Sequence, residues 1–144
     1  MVTDYGVREY QHGDLWLLRG RLIKSAESSY LYGERATDGV AFTFVKNGVV
    51  EACAGMLCVP DGVELWGAPS QTLVDNHLLE YCRLVKRLIT VAGGYDPAVV
   101  VHIEATDRLT QRWAKWLGFT DTGIRKEGGL MMLVLGDGGV NQWV

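Results

Sequence analysis

The sequence predicts a mixed α/β fold of the α+β type, in which a mostly antiparallel sheet contains one parallel strand pair joined by a long helix. Three observations predict it. Two strand-like runs flank the turn dipeptide Asn47-Gly48, and after Trp66 the hydrophobic pattern changes from an alternation of two to a helical period. The nearly continuous apolar run at residues 98–105 is typical of a central strand that is covered on both faces.

The first 36 residues predict one strand followed by two helices. Residues 6–10 alternate between apolar and polar side chains and predict the first strand. Asp14 is a favourable N-cap for a helix over residues 15–26, whose apolar side chains follow helical spacing. A second, shorter helix is expected over residues 27–36.

The middle of the chain predicts a three-stranded antiparallel meander. Asn47-Gly48 tolerates the positive φ angles of a two-residue type I′ turn, which matches the twist of paired strands. Residues 60–62, Pro-Asp-Gly, predict a second tight turn, and Val63–Trp66 the strand that follows it.

One long amphipathic helix is predicted over residues 72–94, ending at Gly93-Gly94. It leads to a strand at Ala98–Glu104, which should lie parallel to Val63–Trp66 through a right-handed crossover. The apolar stripe of this helix consists of Val74, Leu78, Cys82, Val85, Ile89 and Ala92.

The last part of the chain predicts a helix and a hairpin. Asp107 is placed to cap the helix, Gly118 to end it, and Gly128-Gly129 to form the tip of the final hairpin. A single domain over residues 1–136 and a flexible tail over 137–144 are expected. The predicted core consists of Leu117, Phe119, Val99, Val101, Ile103, Leu78 and Val85.

Composition excludes several classes of function. The chain has 144 residues, 48% of them hydrophobic, and a formal net charge of −3, which does not favour nucleic acid or an anionic membrane as partner. Cys53, Cys58 and Cys82 form no CxxC pair, so free thiols in a reducing cytoplasm are expected. The three histidines are scattered, and no metal site is expected. Neither a signal peptide nor a membrane helix is predicted.

The segment "WAKWLGF", Trp113–Phe119, follows a strand and a helix. Together with the order of the elements it resembles the GNAT superfamily of N-acetyltransferases, whose members often carry a phrase like "FYEKLGF" after the fifth strand. Within that superfamily, the region "EATDRLTQRWAKWLGF" and the chain length are similar to the internal virion protein A type of T7-like bacteriophages. The resemblance implies a phage protein in the cytoplasm of the host cell or in the virion.

The resemblance also implies a loop for the pyrophosphate of acetyl-CoA between the fourth strand and the long helix. The family phrase there is Gln/Arg-x-x-Gly-x-Gly/Ala, because free backbone N–H groups and the helix dipole hold the phosphates. This chain reads "GAPSQTLVDN", with one glycine and no cation. Thr72 and Asp75 are expected to form a pair like a capping box, which would use those N–H groups. We therefore expect weak acetyl-CoA binding or none. If acetyl-CoA binds, the loop residues that would contact it are Trp66, Gly67, Ala68, Ser70, Gln71 and Thr72.

Acyl transfer to an amine needs a base and often an acid. The tyrosine that many family members use as the acid corresponds to Ala114 here. Glu64 on the fourth strand, and His102 and Glu104 on one face of the fifth, are the candidate bases. Each also has a structural explanation, since a glutamate on an antiparallel strand usually faces solvent and a lone histidine is usually a hydrogen-bonded, half-buried residue.

Two functions therefore remain open. The first is a GNAT-like fold that acts by binding a protein of the virion or of the host, which the missing glycines and the missing acid favour. The alternative is an active acetyl-CoA-dependent N-acyltransferase with Glu64 as general base. Trp113 and Trp116 share one helix face, and core packing is the more typical role for them. The basic residues Arg83, Lys86 and Arg87 predict a solvated face.

Overall fold

The computed structural model of the chain describes residues 5–23, 40–95 and 98–136. The predicted second helix and the predicted tail lie outside these residues. The strands are β1 Tyr5–Glu9, β2 Val40–Lys46, β3 Val49–Val59, β4 Gly62–Pro69, β5 Val99–Glu104, β6 Phe119–Lys126 and β7 Leu130–Leu135. The helices are a short 3-10 helix at Leu15–Leu18, α1 Gln71–Asn76, α2 Leu78–Tyr95 and α3 Arg108–Trp116.

The strands form a seven-stranded sheet in the order β1-β2-β3-β4-β5-β7-β6. β4 and β5 pair in parallel, with Val63 opposite Val99 and Glu64 opposite Val100. The pairs β1–β2, β2–β3, β5–β7 and β6–β7 are antiparallel. This confirms the predicted fold class, including the parallel pair that the change of period after Trp66 indicates.

The described residues group into two compact units. The first unit runs up to Leu57 and includes Trp66–Leu88, and the second consists of Cys58–Leu65 and the chain from Ile89 onward.

In the first unit, the predicted hairpin turn is confirmed. Asn47 and Gly48 have φ angles of 50° and 79°, and they join β2 directly to β3. The antiparallel register places Phe44 opposite Ala52, and both side chains are buried.

The prediction that Asp14 caps a helix over residues 15–26 is wrong. Residues 15–23 are the described part of this segment, and within them only Leu15–Leu18 is helical. Asp14 makes no side-chain cap. Its carboxylate instead accepts hydrogen bonds from Arg8, at 2.7 and 3.0 Å, from Thr43 Oγ1 at 2.5 Å and from the backbone N–H of Gln11 at 2.8 Å. Pairing of β1 with β2 brings Arg8 and Thr43 close to Asp14. The Asp14 carboxylate binds these donors and does not cap the helix that the local sequence predicts.

The single helix predicted over residues 72–94 is two helices. The backbone leaves the helical region at His77, with φ −141° and ψ 36°, and the His77 ring contacts Nζ of Lys46 at the end of β2. No glycine or proline marks this break in the sequence. Gly93-Gly94 does not end α2 either, which continues to Tyr95.

The break at His77 also changes which side chains of the helices are buried. Leu78, expected on the apolar stripe and in the core, is 40% exposed, because the irregular residue shifts the phase of the following turns. Val74, Val85 and Ile89 are only partly buried, whereas Cys82 and Ala92 are buried as predicted. The other buried side chains of the two helices are Leu73, Tyr81, Leu84 and Leu88.

In the second unit, β5 is the central strand that its apolar run predicts. Val99 and Val100 are fully buried, and Val100 packs with Met132 and Val134 of β7. The predicted core residues Val99, Ile103 and Phe119 are buried, but Val101 and Leu117 are only partly so.

The predicted ends of α3 are confirmed. The Asp107 carboxylate accepts a hydrogen bond from the N–H of Thr110 at 3.1 Å, and Gly118 takes a φ of +106° after the last turn. Gly128 and Gly129, both with positive φ, form the tip of the last hairpin. The expectation that Trp116 lies in the core is wrong, because it is 60% exposed. No helix of the described residues has the length and hydrophobicity needed to cross a membrane.

Candidate functional site

The loop between β4 and α1 is where the resemblance places the phosphates of acetyl-CoA. Ser70 is the N-cap of α1, since its backbone is extended and its Oγ accepts a hydrogen bond from the N–H of Leu73 at 3.0 Å. The predicted Thr72–Asp75 capping pair is therefore wrong. Asp75 instead accepts a hydrogen bond from the side chain of Gln71 at 2.9 Å.

Three backbone N–H groups of this loop are used within the chain. Ser70 N–H donates to the carbonyl of Glu51, and Gln71 N–H to the carbonyl of Arg21, each at 2.8 Å. Pro69 has no N–H to offer, and that of Leu73 is taken by the cap. A phosphate at this position would have to displace these bonds, because a backbone N–H donates well to only one acceptor.

A buried carboxylate lies beside the same loop. Glu51 is 8% exposed and accepts a hydrogen bond from Ser70 Oγ at 2.6 Å and another from Arg21 Nη1 at 3.2 Å. The second terminal nitrogen of Arg21 donates to the carbonyls of Val50, at 2.8 Å, and Leu17, at 3.0 Å. Arg21, a cation close to the start of α1, is therefore already paired with a carboxylate and with two backbone carbonyls.

The one glycine of the loop has a packing role. A Cβ on Gly67 would lie 2.3 Å from the hydroxyl oxygen of Tyr81, which is 1% exposed. Trp66 and Ala68 are buried, so Gln71 and Thr72 are the exposed members of the predicted contact set. The loop residues therefore do not form a phosphate-binding site that fits the pyrophosphate of acetyl-CoA.

Two of the three candidate bases lie together in the second unit. Glu64 Oε1 is 3.2 Å from Nδ1 of His102, and their side chains are 9% and 11% exposed. The alternative explanation for Glu64, a glutamate that faces solvent, does not apply, because both faces of β4 carry buried side chains. Glu104 is exposed at the end of β5, two residues beyond His102.

The structure adds two residues that sequence reasoning missed. Nε2 of His102 is 4.0 Å from Asp61 Oδ2, and the same oxygen is 2.8 Å from Nζ of Lys126. Asp61 belongs to the turn before β4 and Lys126 ends β6. Neither position shows a motif, because their approach depends on strand order. The resulting polar cluster consists of Asp61, Glu64, His102 and Lys126.

This polar cluster can hold and move a proton. A neutral imidazole carries one N–H, and Glu64 at 3.2 Å from Nδ1 is its nearer acceptor, while Nε2 faces the carboxylate of Asp61 at 4.0 Å. The position of the family's acid is Ala114, which is buried. Within the described part of the chain, no group of three or more His, Cys, Asp or Glu side chains is placed to hold a metal ion.

A second buried polar network, around Asp14, is structural. Burial of the Asp14 carboxyl would raise its pKa, but hydrogen bonds from Arg8, Thr43 and the Gln11 N–H together hold the pKa below 3.8, its ordinary value. Burial raises the pKa of the nearby Cys53 thiol to about 12, so this thiol is unreactive at neutral pH. All three cysteines are free, as predicted.

No protein-family model matches the chain, and no curated protein sequence is significantly similar to it. Solved structures are similar. An N-acetyltransferase from Staphylococcus aureus Mu50 superposes with a TM-score of 0.68 at 15% identity, over 92% of this chain and 98% of that one. The ribosomal-protein-S18-alanine N-acetyltransferase from Escherichia coli gives 0.68 at 16% identity, over 92% and 93%.

A GNAT family acetyltransferase from Elizabethkingia anophelis, solved with acetyl-CoA bound, gives a TM-score of 0.65 at 16% identity, over 92% of this chain and 97% of that one. The chain therefore has the GNAT N-acetyltransferase fold.

Proposed function

We propose that this protein uses the GNAT fold mainly to bind another protein, without acetyl-CoA turnover. The observation that carries the proposal is the hydrogen bonding of the β4–α1 loop. The N–H groups of Ser70 and Gln71 are bonded to carbonyls of Glu51 and Arg21, and the buried Glu51 carboxylate lies against Ser70. A fold does not fix a function, so a chain can keep this architecture after its cofactor loop has changed.

The similarity to phage internal virion proteins would make the partner a virion component or a host protein. That assignment rests on the sequence resemblance alone. It fits a chain in which large apolar side chains such as Trp16 and Leu109 are 60% and 65% exposed, because aromatic and aliphatic side chains anchor protein interfaces.

Calorimetric titration with acetyl-CoA tests the proposal. We expect no saturation over roughly 1 μM to 1 mM ligand, the range in which working enzymes bind their substrates. The Elizabethkingia anophelis acetyltransferase, crystallised with acetyl-CoA, is the positive control. A dissociation constant in the low micromolar range for this protein would overturn the proposal.

A second candidate function is N-acyl transfer to an amine, with Glu64 as the general base. The contact between Glu64 and His102, both nearly buried, favours it. Charged groups are costly to bury, and buried carboxylate–imidazole pairs are common where protons are transferred. In this function the Glu64 carboxylate would accept a proton from the incoming amine, and His102 would stabilise the protonated Glu64.

The Glu64→Gln variant separates the two functions. The amide keeps the shape and removes the proton acceptor, so an enzyme would lose turnover without losing cofactor affinity. Glu127→Gln is the matched control, because Glu127 is exposed in the turn of the last hairpin and is not a candidate base. If acetylation of a panel of amines is detected and survives Glu64→Gln, the same test passes to His102 and Glu104, and Glu64 is excluded as the base.

A further inference from the structure

Helix α3 carries two side-chain stripes whose members are exposed, apart from the half-buried Trp113. One stripe is apolar and the other is basic, and each repeats at spacings of four and three residues, which places its members on one side of the helix. We call the two together the α3 surface. The apolar stripe consists of Leu109, Trp113 and Trp116, and the basic stripe of Arg108, Arg112 and Lys115.

The α3 surface faces solvent. Leu109 is 65% exposed and Trp116 60%, and the three basic residues are all exposed. Ala114, on the other side of the helix, is 5% exposed and is the buried contact of α3. Trp113, the middle member of the apolar stripe, is half-buried, whereas Leu109 and Trp116 lie outward. Large exposed apolar groups next to cations are typical of interaction surfaces.

The charge of α3 is opposite to that of the chain. The helix has three cations and no acid, whereas the whole chain has a formal net charge of −3. Arg108 and Arg112 take part in none of the ion pairs that join described residues. Lys115 contributes to lowering the pKa of Asp121, after the hydrogen bond from Arg125. The α3 surface is thus a local positive field with an apolar ridge.

We propose that the α3 surface binds an acidic, apolar segment of a partner protein. This rests on the proposed protein-binding function and names its surface and the chemistry of the partner. Carboxylates of the segment would meet the basic stripe, and its apolar side chains would cover Leu109 and Trp116. Arginine and tryptophan are the residue types that most often dominate binding energy in interfaces.

The short range of electrostatic interactions in salt solution favours a protein segment over a membrane or a nucleic acid as the partner. A short segment senses charges within roughly one Debye length, about 8 Å at physiological salt, so it meets the three cations of α3 together with Asp107 at the N-cap and Asp121, which Arg125 pairs. An anionic bilayer or a duplex extends further and meets the field of the whole chain, which is negative. α3 has nine residues and a length of about 13 Å, which suits a short segment.

Fluorescence anisotropy with a labelled synthetic peptide tests the proposal on the full chain. The probe is a helical peptide with glutamates along one side and leucine and phenylalanine along the other. A matched peptide carries lysine at every glutamate position. We expect the acidic peptide to bind and the lysine peptide to bind at least about tenfold more weakly, a difference of about 1.4 kcal/mol. Equal binding of the two peptides overturns the proposal.

Two variants locate the binding on α3. The double variant Leu109→Ala, Trp116→Ala removes the apolar ridge, and the triple variant Arg108→Gln, Arg112→Gln, Lys115→Gln removes the charge while keeping good helix formers. We expect each variant to bind the acidic peptide about tenfold more weakly than the wild type, or weaker still. The affected side chains are exposed, so the folded state should be retained, which circular dichroism and thermal unfolding verify.

Matched controls lie on α2. Leu79→Ala removes a leucine that is 67% exposed, and Arg83→Gln, Lys86→Gln, Arg87→Gln removes the same number of exposed cations. Both should leave the affinity for the peptide unchanged. Equal losses in the controls would mean general charge attraction and overturn the proposal.

Three further outcomes overturn the assignment of the partner. These are α3-dependent binding of phosphatidylserine vesicles in preference to the peptide, the same preference for duplex DNA, and self-association that the Leu109→Ala, Trp116→Ala variant abolishes. Tight binding of acetyl-CoA would overturn the proposed function, but it leaves the peptide result unaffected, so the two failures are distinguishable.

Discussion

Glu51 and Glu64 are two buried glutamates on neighbouring strands, 8% and 6% exposed, yet their surroundings differ. Glu51 accepts hydrogen bonds from the Arg21 guanidinium and the Ser70 hydroxyl. Glu64 lies 3.2 Å from Nδ1 of His102, an imidazole nitrogen that can serve as donor or acceptor. Burial alone therefore does not identify a carboxylate that does chemistry, and the neighbouring group decides.

The two glutamates also differ in what they hold together. Glu51 joins Arg21 to Ser70, and the segment around Arg21 adds backbone hydrogen bonds, from Ile23 to Pro69 and from Gln71 to Arg21. It thereby ties the N-terminal segment to the start of α1. Glu64 belongs to a cluster that reaches the surface through Asp61 and Lys126. Glu51 therefore has the surroundings of a stabilising carboxylate, whereas Glu64 has those that the second candidate function, N-acyl transfer, requires of a base.

The largest expected effect is that of Glu51→Ala. The variant leaves the Arg21 guanidinium and the Ser70 hydroxyl without their acceptor, and we expect the free energy of unfolding to fall by about 3 kcal/mol. Glu51→Gln keeps an acceptor for Ser70 and should lose about half as much. Chemical denaturation measures both variants. A loss below about 1 kcal/mol for Glu51→Ala would show that the ion pair is not a stabilising contact.

Lowering the pH should remove the stabilisation that the Asp14 carboxylate contributes in the first unit. Because the folded-state pKa of Asp14 is depressed below 3.8, its stabilisation is present above that value and is lost as pH falls through the folded pKa. At neutral pH we expect Asp14→Asn to cost about 2 kcal/mol, since hydrogen bonds to a charged carboxylate are lost. The difference between wild type and variant should shrink as pH falls below 3.8. A difference that stays constant with pH would exclude Asp14 as its source.

The smallest expected effect is that of Glu64→Gln on stability. The amide is similar in shape, can still pair with His102, and removes the cost of burying a charge, so the change should stay within about 1 kcal/mol. Denaturation under the same conditions as for Glu51→Ala gives the direct comparison. If Glu64→Gln destabilises the protein as much as Glu51→Ala does, the two carboxylates are both structural, and N-acyl transfer loses its supporting observation.

Elements with strong local signals could be predicted from the sequence. The β2–β3 turn follows from Asn47-Gly48, α3 from the Asp107 cap and the Gly118 stop, and β5 from its apolar run. In each case the residues that decide the conformation lie within a few positions of one another. The predicted single domain over residues 1–136 and the tail after it stay predictions.

Predictions failed where a side chain contacts a residue that is distant in the sequence. Asp14 has the chemistry of an N-cap, but Arg8 and Thr43 bind its carboxylate, and the helix after it is short. His77 interrupts a segment with regular helical spacing, and it contacts Lys46 of β2. Ser70 rather than Thr72 caps α1, because the path of the chain before the helix puts Ser70 in the extended N-cap position.

The sequence by itself determined the order of the strands, the parallel β4–β5 pair and the presence of Glu64 and His102 on those strands. It also determined that the cofactor loop has one glycine and no cation. Only the tertiary structure decided that the loop N–H groups bond to Glu51 and Arg21, that Asp61 and Lys126 join the polar cluster, and that Leu109 and Trp116 face outward. The physical reason is range, since periodicity and capping act over a few residues, whereas hydrogen-bond partners and burial depend on which strands become neighbours.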